Sequence, residues 1–85
     1  MKSSYVLKII ENNIDEYSAS YKRIEEVILA QPEKIVRMSI SKLSQLANVS
    51  DPTIMRFCAM LGFPGFKDFK LHLAKELAIK ENYVH

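Results

Sequence analysis

Apolar residues in this chain recur every three to four positions and nowhere alternate over the length of a strand, so the pattern predicts an all-α domain. Val6, Leu7, Ile10 and Ile14 form a first amphipathic stretch that weakens at Asn12 and Asn13, two poor helix formers. After Ser18, a good N-cap by residue type, Tyr21, Ile24, Val27 and Ile28 line one face of a second helix. Lys22, Arg23, Glu25 and Glu26 take its solvent face, and the helix closes before Pro32. Pro32 suits a first helical turn and Glu33 the positive end of its dipole, so PEKIVR predicts one or two further turns.

The next break is the informative one. Ser39 caps ISKLSQLA, whose Ile40, Leu43 and Ala47 face one way, and Asn48 tolerates the left-handed conformation that ends helices. Val49 beyond it can tuck into a core. Ser50 then caps a new helix, Asp51 suits its dipole and Pro52 its first turn. That helix runs to Leu61 and stops at Gly62. A last one from about Gly65 puts Phe66, Phe69, Leu73 and Leu77 on one stripe, widened by Leu71, Ala74 and Ala78. Two short helices around a turn of about three residues, with other helices packed on them, make a helix-turn-helix. The expected architecture is a small helical bundle of about five to six helices.

Length and composition then remove most functions. Eighty-five residues make one domain, and 48% hydrophobic with 26% charged residues argue against both disorder and a membrane span. One cysteine, Cys58, excludes an internal disulfide, and two histidines give no cluster at zinc-ligand spacing, so the expected setting is a reducing cytoplasm. The start MKSSYVLKIIENN lacks a signal-peptide pattern. Net charge is only +2, but it is uneven: residues 1–36 carry five basic and six acidic side chains, residues 37–85 seven and four. The positive half holds the helix-turn-helix.

On the helix after the turn, Ile54, Phe57, Cys58 and Leu61 collect on one side, which must face the core. Opposite lie Pro52, Arg56 and Ala59, flanked by Met55, Met60 and Thr53. A solvated face would carry several Lys and Glu, as the second helix does; this one is small and apolar around one guanidinium. DNA is one cover that fits, since a helix-turn-helix lays its second helix in the major groove. Arg56 can then reach guanine, Met55, Pro52 or Ala59 thymine methyl groups, and Ser50 and Thr53 phosphates, with Lys42, Lys67 and Lys70 adding backbone charge. The competing reading is a helical protein-protein interaction module whose Met55, Ala59 and Met60 receive a partner helix.

VSDPTIMRFCAMLGFPGFKDFKLHLA resembles the signature of the RpiR family of bacterial transcription regulators, a VS-x-x-T-V-x-R-F-C-x-x-L-G-F-x-G-F-x-x-F-K pattern. EEVILAQPEKIVRMSISKLSQLANVS is similar to the preceding part of that family's domain, and FKDFKLHLA resembles its HexR-like branch. The resemblance implies sequence-specific binding of double-stranded DNA at a palindromic operator, with residues near 51–61 as the recognition helix. It further implies regulation of sugar or phosphosugar metabolism genes by a homodimer. Some HexR-like members carry a second arginine where this chain has Ala59. The family joins such an N-terminal domain to a sugar isomerase (SIS) domain that binds a phosphosugar effector and holds the dimer. With 85 residues ending in KENYVH there is no room for it, so the expectation is an excised domain.

Other chemistry has little support in the sequence. Cys58 falls on the inward face and reads as a small core residue. His72 lacks partners at catalytic or metal spacing and reads as a rim residue. Phe57, Phe63, Phe66 and Phe69 read as core rather than stacking platforms. Gly62 and Gly65 form no phosphate-binding loop. Neither an enzyme, nor a metal site, nor a cofactor is expected.

Overall fold

The structure, a computed structural model, describes residues 5–12 and 18–84, with side chains for residues 6–10 and 18–79. Ile14, expected in the first helix, lies outside them. Among the described residues six helices and no strands occur: α1 Tyr5–Asn12, α2 Ala19–Ala30, α3 Pro32–Ile35, α4 Ile40–Ala47, α5 Asp51–Met60 and α6 Phe66–Val84. None is long and apolar enough to cross a membrane.

The helix starts follow from serine side chains. Ser18, Ser39 and Ser50 are extended, and each hydroxyl oxygen accepts the backbone N–H three residues on, from Tyr21, Lys42 and Thr53. α4 and α5 stop at left-handed residues. Asn48 has φ 57° and ψ 49°, and Val49 N–H returns to Ser44 O at 2.9 Å. Gly62 has φ 101°, with Phe63 N–H returning to Cys58 O at 2.9 Å and Gly62 N–H to Ala59 O at 3.0 Å.

Between these punctuation points the apolar stripes close one core. It draws Val6 and Ile10 from α1, Ile24 and Ile28 from α2, Ile35 from α3, Leu43 and Ala47 from α4, Ile54, Phe57 and Cys58 from α5, and Phe69 and Leu73 from α6. All four phenylalanines are buried. Phe57 meets Tyr21 edge-on at 5.3 Å, which ties α5 to α2 beneath the turn. Val49 packs on the core as its position implies.

Two expectations change, and one long-range contact joins them. Glu25, assigned to the solvent face of α2, is buried, because it stands one turn from both Tyr21 and Ile28 and α2 is enclosed by α3, α4 and α5. Leu71 is 52% exposed and Ala78 is also exposed, so the inward stripe of α6 is narrower than its apolar residues. That contact belongs to Glu76. Its carboxylate is buried and accepts Val6 N–H at 2.5 Å and Leu7 N–H at 3.3 Å, so a residue 70 positions away caps α1.

Candidate nucleic-acid interface

The helix-turn-helix is α4, the Asn48–Ser50 turn and α5, and three sets of contacts fix its geometry. Apolar packing comes first: Leu43 and Ala47 from α4 meet Ile54 and Phe57 from α5 in the core. Next, Asp51 opens α5 and turns its carboxylate back to α4, where it accepts Ser44 Oγ–H at 2.6 Å and Ser41 Oγ–H at 3.2 Å. Last, Arg23 reaches over from α2 and donates to the carbonyls of Ala47 and Asn48. Sequence reasoning put Arg23 on a solvent face and did not connect it to the turn. Its only signal there was the cation itself, which suits a helix C-terminus.

The outward face of α5 is then defined. Pro52, Met55, Arg56, Ala59 and Met60 are exposed and Thr53 half-buried, whereas Ile54, Phe57, Cys58 and Leu61 are buried. Asp51 carries the one carboxylate of α5 and is drawn to α4, so the exposed side chains of this helix bear one cation and no anion. That is an electrostatic condition for approach to a polyanion. Arg56 Nη2 donates to Thr53 Oγ1 at 3.3 Å, and Thr53 Oγ1 lies 2.8 Å from Ser50 Oγ.

The lysines divide into two kinds. Lys42 and Lys67 are exposed. Lys70 is half-buried: its Nζ donates to Met38 O at 2.8 Å and sits 4.8 Å from the centre of the Phe66 ring, so it ties the start of α6 to the segment after α3. Both Lys67 and Lys70 border an open cleft of about 340 Å³ whose apolar lining is Val36, Leu71 and Ala74. Cys58 is buried as expected, and burial pushes its thiol up to about 12. His72 is exposed, with Nδ1 3.0 Å from Asp68 O. Among the described residues no group of three or more His, Cys, Asp or Glu can hold a metal ion.

The family described as a helix-turn-helix domain, rpiR family, matches residues 4–80. The chain belongs to the RpiR family. A helix-turn-helix domain of this family is the DNA-binding module of a transcription regulator. The chain is 42% identical over 80 residues to the transcriptional regulator HexR of Escherichia coli, covering 94% of this chain and 28% of HexR. Pseudomonas aeruginosa HexR is 40% identical over 73 residues, or 86% of this chain and 26% of that protein. The crystal structure of the N-terminal domain of YbbH from Bacillus subtilis superposes with a TM-score of 0.81 at 36% identity, covering 86% of this chain and 89% of that one. This RpiR-family chain therefore spans less than a third of the length of the HexR proteins it matches.

Proposed function

We propose that this domain binds double-stranded DNA sequence-specifically, with α5 in the major groove and Arg56 reading a guanine edge. The observation that carries the reading is the exposed face of α5: Pro52, Met55, Ala59 and Met60 around a single guanidinium, with the helix's one carboxylate turned away to Ser41 and Ser44. Small and apolar side chains let the helix approach base edges and thymine methyl groups, and arginine offers two parallel donors to guanine. Ser50, at the helix start, serves phosphate oxygens, and Thr53 Oγ1 stands between it and Arg56. Lys42 and Lys67 supply backbone contacts, while Asp51 and Lys70 serve the interface from behind by holding α5 on α4 and α6 on the post-α3 segment.

The same reading extends to the whole regulator. Two copies bind a palindromic operator, because a homodimer of helix-turn-helix domains reads half-sites about one helical turn apart. The resemblance of FKDFKLHLA to the HexR-like branch implies regulation of sugar or phosphosugar metabolism genes in the cytoplasm, with a phosphosugar effector acting through a C-terminal SIS domain. The alternative, a protein partner held on Met55, Ala59 and Met60, rests on their exposure.

Selection of bound duplexes from a random DNA pool, followed by affinity against salt on the winning site, tests the proposal. An enriched palindrome whose affinity falls steeply with salt is the expected result, since phosphate contacts release counterions. No enrichment would contradict it and leave the protein-partner reading.

A further inference from the structure

Three hydrogen-bonding side chains stand one turn apart along the exposed edge of α5: Ser50, Thr53 and Arg56. Thr53 is the middle member, with Oγ1 2.8 Å from Ser50 Oγ and 3.3 Å from Arg56 Nη2. The three differ in freedom. Threonine is stiff at χ1 and here half-buried, so its oxygen is a fixed post on the helix. Arginine has a long flexible stem that by itself sweeps over several base pairs. A hydroxyl has two lone pairs and one proton, so Oγ1 can serve Ser50 and Arg56 together, while the guanidinium, with five N–H donors, keeps enough of them for a bidentate guanine contact. The Thr53 contact draws the guanidinium back towards the N-terminus of α5, the end that lies nearest the bases in a helix-turn-helix.

We propose that Thr53 is a positioning residue that decides which base pair of the half-site Arg56 reads. This rests on the proposed placement of α5 in the major groove. A Thr53 that contacts a phosphate on its own account, or that only supports the Ser50 cap, has different consequences, and these separate in one experiment.

Thr53→Val keeps the shape and removes the oxygen; Thr53→Ser keeps the oxygen. Dissociation constants are measured for the 85-residue domain on its selected duplex and on duplexes altered at each half-site base pair in turn. Thr53→Val is expected to lose about tenfold in discrimination at the base pair where Arg56→Ala loses it, and to stay within about twofold elsewhere. Thr53→Ser should restore most of that loss, and Thr53→Val combined with Arg56→Ala should discriminate no worse than Arg56→Ala alone. Equal weakening on every duplex together with a lower melting temperature would make Thr53 cap support only and overturn the proposal. Equal weakening on every duplex at an unchanged melting temperature would give Thr53 its own phosphate contact, additive losses at different base pairs its own base contact, and either overturns it too. A wild-type domain that selects no duplex would instead sink the underlying major-groove reading, an outcome distinguishable from both.

Discussion

Arg23 of α2 donates Nε–H to the carbonyl of Ala47 at 3.0 Å, and its Nη2 reaches the carbonyl of Asn48 at 3.3 Å. These are two of the carbonyls that the end of α4 leaves without a helical partner, and a cation at a helix C-terminus also suits the dipole. Nη2 lies 3.4 Å from Ser20 Oγ as well, so the guanidinium spans from α2 to the left-handed turn. Through it, α2 bears on the residue that sets the angle between α4 and α5.

Arg23→Ala should therefore cost about 1 kcal/mol of stability, at the modest end for a charged hydrogen bond because the side chain is exposed. Chemical denaturation gives the cost, and amide exchange gives its location. Faster exchange at Val49 and Ser50, with α6 unaffected, is expected; no change at the turn would mean that Asn48 holds it unaided.

Glu76 makes a different kind of long-range contact. Its buried carboxylate accepts two backbone N–H groups at the start of α1. Glu76→Ala should cost about 2–3 kcal/mol and lower the helix content by the loss of α1. Glu76→Gln, which keeps one oxygen acceptor, should cost less. Equal stability of all three proteins in guanidinium titrations would show that the cap contributes nothing.

The burial of Cys58 sets a pH dependence with a definite sign. Its thiol is pushed from 9.0 to about 12 by burial, so the unfolded chain releases this proton first as pH rises. The folded state then loses stability above about pH 9, by about 1.4 kcal/mol per pH unit until the folded thiol ionises. The comparison is with Cys58→Ala between pH 8 and pH 10, which isolates the contribution of the thiol. The wild type should lose more over that interval, and parallel losses would refute the assignment.

Local chemistry was legible in the sequence because it acts within a few residues. The serine caps at Ser18, Ser39 and Ser50, the left-handed Asn48 and Gly62, and the inward face of α5 all depend on neighbours three or four positions away. So did most of the candidate face of α5, since one helical period separates Ile54 and Phe57 from Met55, Arg56 and Ala59. What stayed hidden needs tertiary partners. Periodicity assigns each helix one stripe and does not count neighbours, so it missed the burial of Glu25 and the exposure of Leu71. Nothing local links Glu76 to Val6, Arg23 to Asn48, or Lys70 to the carbonyl of Met38. Asp51 suits the dipole of its own helix, and its carboxylate also bridges to two serines of α4, which no local pattern announces.

The central claim is that Arg56 reads bases while the exposed lysines hold the backbone. Dissociation constants of Arg56→Ala and Lys67→Ala on the selected duplex and on random duplex, each across a salt series, test it most directly. Arg56→Ala should lose about 1–3 kcal/mol on the selected duplex and much less on random DNA. Lys67→Ala should weaken both duplexes alike and reduce the slope of log affinity against log salt by about one. An Arg56→Ala domain that loses the same factor on both duplexes would contradict the account: the guanidinium would then be a phosphate clamp, and base reading would belong to other residues of α5.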